Sequence, residues 1–297
     1  MDTKRPSRVT IATLQPMKHR KEVFAALSIY DAMTARLFDK AGGEVIIVGD
    51  SAAMTMEGRR STLPMTMDRM ISYAQSVRNG TPRLFVVGDM PLGSYEPSDE
   101  LAVRNALRFV QEADCNAVKI ETNHAYVSRI KAVANACLVV AHLGLNPNKA
   151  EQLGGYRTQG KDVEAAKSIL DVAKVVEDAG ACMILLESVI EEVAQWVRRS
   201  VQIPVFGIAA GRELDGQLLI SSDLLGLYEW PGTAPVHVKS HKSSKKGMTV
   251  GKVTLEAFAE YVREVKESRF PGEGNIHCLT HIKDEGVREK LRDLVKA

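Results

Sequence analysis

The chain is poor in cysteine. Only Cys115, Cys137, Cys182 and Cys278 occur, and no two form a C-x-x-C pair. Disulfide-stapled secreted scaffolds and zinc modules need more thiols or closer spacing. Reduced, buried thiols in a cytoplasmic protein are the expectation. No apolar run reaches the roughly 18 residues of a membrane span. The polar start, Met1 to Arg8, leads into no apolar signal core, so neither membrane nor secretion is expected. An excess of charge is also missing. Lys and Arg total 39 against 37 Asp and Glu, a formal net charge of +2, too balanced for a nucleic-acid binder. No G-x-G-x-x-G is present, so a dinucleotide fold lacks its fingerprint.

What is present is a repeated pattern. Glu44 to Ser51 runs Glu-Val-Ile-Ile-Val-Gly-Asp-Ser, and an unbroken branched apolar run reads as a strand buried on both faces. Further strands are predicted at Phe24–Tyr30, Arg83–Asp89, Ala117–Glu121, Leu138–Leu143, Met183–Ser188 and Val205–Ala209. Helical stretches lie between them. One starts at Asp31 and closes at Gly42-Gly43. Asp68 is a candidate cap for another, Ser98 for a third, and the rest cover Tyr126–Ala136, Lys161–Glu177 and Glu191–Arg199. Leu218–Leu225 fits either helix or strand. Strand and helix alternate in units of roughly 25 to 40 residues, the signature of a parallel α/β architecture. With no composition break before Glu229, one α/β (β/α)8 TIM barrel fits better than a doubly wound sheet. The expected organisation is a leader over 1–22 with a short amphipathic element near Val9–Lys18, a catalytic barrel over 23–272, and a helical tail over 273–297. Helices are expected over Thr254–Ser268 and Asp284–Lys296, after a Pro/Gly/Ser/Lys-rich loop from Glu229 to Lys252.

Parallel barrels build their sites at the C-terminal ends of the strands. Asp50, Asp89, Glu121, His142 and Glu187 stand at such ends on five predicted strands. Any one carboxylate there could simply cap the next helix. Several together repel at low dielectric and call for a cation. Without a His or Cys ligand pair, an oxygen-preferring ion, Mg2+ by default, suits them. Lys119 precedes Glu121 by two residues and points to the same side, as an ion-pair partner or as a charge for an anionic substrate. Glu187 follows an apolar Ile-Leu-Leu run and suits a general acid or base, with a helix cap as the bland reading. His142 is a core histidine or a polar group of the site. The remaining histidines at 124, 237, 241, 277 and 281 show no metal-ligand spacing. Gly155 to Lys161 imitates a phosphate-binding loop, but Asp162 stands where Ser or Thr must reach Mg2+ and no strand precedes it. The basic cluster Lys239–Lys246 reads as a solvated loop or flap rather than a polyanion site.

Longer motifs carry a resemblance. They include Tyr30-Asp31, Val48-Gly-Asp-Ser51, Ser61-Thr-Leu-Pro64, Asp89-Met-Pro91, Val118-Lys-Ile-Glu121, His142-Leu-Gly-Leu145 with Pro147, Gly154-Gly-Tyr156, Leu186-Glu187, Ile203-Pro-Val205, Asp215-Gly-Gln217 and Phe270-Pro-Gly-Glu273. From about Phe24 to Gly272 the chain resembles the ketopantoate hydroxymethyltransferases, (β/α)8 barrels of the phosphoenolpyruvate mutase–isocitrate lyase superfamily. The resemblance implies Mg2+ on Asp50, Asp89 and Glu121. It implies a small-molecule 2-oxo acid on Asp50, Ser51, Asp89 and Lys119, with His142 beside it, and Glu187 as catalytic base. The implied reaction is hydroxymethyl transfer from 5,10-methylenetetrahydrofolate to 3-methyl-2-oxobutanoate, in pantothenate biosynthesis. A homo-oligomer, commonly a decamer, is also implied. The sequence departs from the family pattern at Gly88, Arg59-Arg60, Thr122-Asn123 and Ala209-Ala210, beside the conserved-looking set. The alternatives weighed are a paralogue acting on another 2-oxo acid, a Mg2+-dependent 2-oxo-acid lyase or aldolase of the same superfamily, and a barrel retained for binding alone.

Overall fold

The structure is a computed structural model that describes residues 8–152 and 154–230, with 235, 238, 247–250, 253, 285 and 286. Two compact units divide the chain, residues 1–224 with 228–240, and 225–227 with 241–297. Everything below concerns the first. The helix expected at Thr254–Ser268, that at Asp284–Lys296 apart from residues 285 and 286, the basic cluster at 239–246 and Cys278 lie outside the described residues.

Eight parallel strands close into a barrel in sequence order. They are β1 (Phe24–Ser28), β2 (Val45–Val48), β3 (Phe85–Asp89), β4 (Ala117–Glu121), β5 (Leu138–Gly144), β6 (Met183–Glu187), β7 (Val205–Ile208) and β8 (Gly216–Ile220). β8 pairs with β1, Phe24 opposite Gly216 and Ser28 opposite Ile220, and completes the ring. Nine α-helices accompany the strands among the described residues: α1 (Ile11–Arg20), α2 (Ala32–Ala41), α3 (Ala52–Thr55), α4 (Met67–Gly80), α5 (Asp99–Ala113), α6 (Val127–Ala134), α7 (Val163–Asp178), α8 (Glu191–Ser200) and α9 (Ser221–Leu225), with short 3-10 helices at His124–Tyr126 and Pro147–Lys149.

Side chains alternate across each strand, and this sorts the core into two layers. Ile46, Val48, Val86, Val118, Ile120, Val139, Ala141, Ile184 and Leu186 pack outward against the helices. Val45, Ile47, Phe85, Val87, Ala117, Val140, Met183, Leu185 and Phe206 fill the interior. The helix layer sits close. A Cβ on Gly88 would lie 2.2 Å from Phe109 Cδ1, so the glycine lets α5 rest on β3. Helix starts follow the expected chemistry: Asp31, Ser98 and Asp162 accept from backbone N–H groups three residues on.

The leader is part of the barrel rather than an appendage. Thr13 Oγ1 accepts from the Thr10 N–H at the start of α1, and Val9 and Leu14 join the interior cluster with Phe24 and Phe206. That end is also held by Asp215, which is 1% exposed. It accepts from Arg198 Nε at 2.7 Å and the Val205 N–H at 2.9 Å, with Lys18 Nζ 3.2 Å away.

Several sequence expectations are corrected. The eighth element is strand and helix in succession, because the β-compatible Gly216–Ile220 runs directly into Ser221–Leu225. α4 begins after Thr66, and Asp68 lies within its first turn, where the helix dipole favours a carboxylate. β1 ends at Ser28, and α3 was not expected. Cys115 and Cys182 are buried, Cys137 is partly so, and all three are free thiols, as expected.

Candidate active site

Period-two alternation decides what reaches the barrel mouth. Below the C-terminal ends, Val87, Ala117, Val140 and Leu185 point inward. Two residues on, the same faces present Asp89, Lys119, His142 and Glu187. Sequence-distant groups thereby become neighbours across four adjacent strands. Lys119 Nζ lies 2.8 Å from Asp89 Oδ1 and 3.1 Å from His142 Nδ1. His142 Nε2 lies 3.3 Å from Glu187 Oε2.

The charge states in this relay follow from its geometry. Burial pulls the Lys119 ammonium down, but Asp89, Asp50 and Glu121 outweigh it and hold the amine above its ordinary value. An ammonium has no acceptor to offer, so His142 Nδ1 accepts. Burial, then Lys119, lowers the His142 pKa, with Glu187 opposing. Both lowering effects favour the neutral ring. With Nδ1 accepting from Lys119, its proton sits on Nε2, 3.3 Å from Glu187 Oε2 but with no hydrogen bond formed. Glu187 is the open end of the relay. Its side chain is 24% exposed, whereas that of His142 is 1% exposed.

The carboxylates form the other part of the mouth. Asp50 follows β2, and its N–H donates to Asp89 Oδ2 at 3.0 Å. Burial pushes the Asp89 carboxyl up to about 7, with Lys119 opposing and Asp50 adding to the rise. Glu121 is buried as well, and burial raises it well above the usual carboxylate range. Asn148 links two of these groups. Its Nδ2 donates to Asp50 Oδ2 at 2.8 Å and its N–H to Glu121 Oε1 at 3.3 Å, while its Oδ1 accepts from Thr62 Oγ1 at 2.7 Å. Glu121 Oε2 is buried with no hydrogen-bond partner.

Among the described residues, no three His, Cys, Asp or Glu side chains converge into a ready metal cage. Mg2+ does not need one. It keeps several waters and is held by one or two carboxylates plus substrate oxygens. Two linked aspartates and a third buried carboxylate with an unsatisfied oxygen fit such an ion.

A cavity of about 380 Å3 opens over these groups, lined by Asp50, Ser51, Asp89, Lys119, His142 and Glu187. Of the expected site residues only Glu121 does not line it. Ser51 Oγ and Tyr30 OH are 2.8 Å apart, and burial raises the Tyr30 phenol to about 12. Ile47, Leu145, Leu185, Ile208 and Leu218 supply apolar wall. Sequence reading missed Asn148, Thr62 and Asp223. Asp223 also lines the cavity, just past β8, and a strand reading of Gly216–Ile220 would have marked it.

A family model for ketopantoate hydroxymethyltransferase matches residues 8–273. The chain belongs to the ketopantoate hydroxymethyltransferase family. It is 41% identical over 277 residues to the 3-methyl-2-oxobutanoate hydroxymethyltransferase of Alkaliphilus metalliredigens (strain QYMF), covering 93% of this chain and 95% of that one. To the enzyme of that name in Geobacillus kaustophilus (strain HTA426) it is 42% identical over 272 residues, covering 91% and 94%. Among solved structures, 2,3-dimethylmalate lyase, a PEP mutase/isocitrate lyase superfamily member, superposes with a TM-score of 0.56 at 17% identity, covering 98% and 99%. Phosphonopyruvate hydrolase gives 0.57 at 12%, covering 96% and 98%. These two share the barrel fold with this hydroxymethyltransferase family member.

Proposed function

We propose that the chain transfers a hydroxymethyl group from 5,10-methylenetetrahydrofolate to 3-methyl-2-oxobutanoate, giving 2-dehydropantoate for pantothenate biosynthesis. Family membership supports the reaction. The observation that carries the mechanism is Glu187, lining the cavity with Oε2 3.3 Å from His142 Nε2 and with Lys119 and Asp89 beyond that ring.

Asp50 and Asp89 would hold Mg2+, with Glu121 behind them as a third negative charge. When bound, the ion supplies Lewis acidity that polarises the 2-oxo group and stabilises negative charge on its oxygen. Lys119 offers positive charge to the substrate carboxylate, and the Ser51 hydroxyl a hydrogen bond. Glu187 removes the proton from C3, the carbon beside the keto group. His142 stands beside Oε2, which leaves Oε1 to take that proton. One water releases the one-carbon unit of the folate as formaldehyde, with the C–N bonds broken and tetrahydrofolate as leaving group. C3 attacks that carbon, and its oxygen takes up the proton to become the product hydroxyl. The apolar wall at Leu145, Leu185 and Ile208 suits the branched end of the keto acid and shields the site from water. The same reading includes a cytoplasmic homo-oligomer, decameric by resemblance, which sedimentation of the purified chain would measure.

The test is product formation. Purified protein given Mg2+, 3-methyl-2-oxobutanoate and methylenetetrahydrofolate should form 2-dehydropantoate, stop on chelation and resume on adding Mg2+. Turnover of other 2-oxo acids but not this one would favour the paralogue reading instead.

A further inference from the structure

The reaction needs room for a second substrate, and the polar relay occupies only one part of the mouth. The cavity, about 380 Å3, falls within the roughly 300–1,000 Å3 of small-molecule sites, more than an acid of eight non-hydrogen atoms fills. A different part of its wall is built from β8 and the segment after α9. It comprises Leu218, Ile220, Asp223, Tyr228 and Trp230. Asp223 is 2% exposed. Its Oδ1 accepts from Trp230 Nε1 at 3.1 Å, which fixes the indole beside the carboxylate. Tyr228 and Trp230 meet edge to face, centroids 5.0 Å apart and planes at 82°. Both parts line one cavity, Ser51 on the relay side and Asp223 on the other, and Tyr30 backs Ser51 through a 2.8 Å hydroxyl contact.

We propose that Asp223, Tyr228 and Trp230 form the subsite for the 2-amino-4-oxopteridine ring of the reduced folate. The inference rests on the folate-dependent reading above. A pterin presents two parallel donors, its 2-amino group and N3–H, on one edge of a flat ring. A carboxylate accepts such a pair in the way it accepts a guanidinium fork. A carboxylate has about four acceptor positions over its two oxygens, so it can take the ligand's donor pair beside bonds it already makes. The aromatic pair and the aliphatic Leu218 and Ile220 suit the faces of the ring. Because Asp223 and Ser51 line one cavity, a folate bound at Asp223 shares that cavity with the keto acid, within which its N5 and N10 can present the one-carbon unit.

The structure also supplies the reporter. Trp196 and Trp230 are the only tryptophans, and Trp196 lies on α8, partly exposed. In the full chain carrying Trp196→Phe, tetrahydrofolate should quench the fluorescence of Trp230 saturably. Asp223→Asn presents an amide donor to the pterin's donors. It should weaken tetrahydrofolate binding at least tenfold and raise the KM for methylenetetrahydrofolate at least tenfold, while the KM for 3-methyl-2-oxobutanoate stays within about twofold. Trp230→Ala should show the same split. Folate affinity unchanged in both variants would overturn the subsite. An equal rise in both KM values would also overturn it, because Asp223 would then be a structural prop of the mouth. A wild-type chain that transfers no hydroxymethyl group to the keto acid would overturn the folate reading, and the subsite with it.

Discussion

Lys119→Met isolates the electrostatics of the relay. Methionine is unbranched and apolar and can follow the path of the lysine stem, so little packing is lost. What goes is an ammonium 2.8 Å from Asp89 Oδ1 and 3.1 Å from His142 Nδ1, between side chains that are 5% and 2% exposed in the Lys119–Asp89 pair. Removing one partner of a buried ion pair costs about 3–5 kcal/mol, because the other charge remains buried and unpaired. Asp89 can escape part of that by taking up a proton. Its carboxyl already stands at about 7 with the lysine present. The expected loss is therefore near the lower end, about 3 kcal/mol. Urea denaturation of metal-free protein measures it. If the cost is an orphaned Asp89, the same change in an Asp89→Asn background should be milder by about 2 kcal/mol, a coupling well above the roughly 0.5 kcal/mol of independent sites. A loss below about 1 kcal/mol, or additive single changes, would refute the buried-pair reasoning.

Other expectations follow from single contacts. Gly144 has φ +92°, and a Cβ there would lie 2.4 Å from the Glu187 carbonyl oxygen. Gly144→Ala should cost about 1–3 kcal/mol and displace Glu187, with kcat falling more than KM rises; wild-type kinetics would show that β5 and β6 tolerate the shift. Asn148→Ala removes the side-chain link to Asp50 and Thr62, and should weaken Mg2+ binding by calorimetry about 10-fold or more. Unchanged affinity would leave Asn148 a loop tie only. Burial raises the Cys115 and Cys182 thiols to about 12 and Cys137 to about 11. In a Cys278→Ser chain, dithionitrobenzoate at pH 8 should therefore react only after unfolding, and rapid native labelling would contradict the burial.

The candidate site was legible wherever a polar residue closes an apolar strand. Asp89, Glu121, His142 and Glu187 each do so, and the two-residue period puts Lys119 on the same face as Glu121. That regularity also pointed to the barrel, since seven predicted strands alternating with helices, with an undecided element at Leu218–Leu225, fit it better than a doubly wound sheet. Asn148 and Thr62 were not legible, because they come from loops without periodicity and meet Asp50 only after the chain has closed. Asp223 was hidden for a different reason. Leu218–Leu225 changes from strand to helix at Ser221, so neither period persists long enough to dominate. The role of α1 was equally obscure. Pro16 interrupts its pattern, and only the closed barrel shows that Leu14 fills its base.

Proton exchange at C3 tests the central claim most directly. In deuterated water with Mg2+ and no folate, the wild-type chain should exchange the C3 proton of 3-methyl-2-oxobutanoate, followed by the loss of its NMR signal. Glu187→Gln should bind Mg2+ and the keto acid with little change while exchange slows by about 10²–10⁴-fold, the usual weight of a positioned base. Exchange at the wild-type rate in that variant would contradict the account.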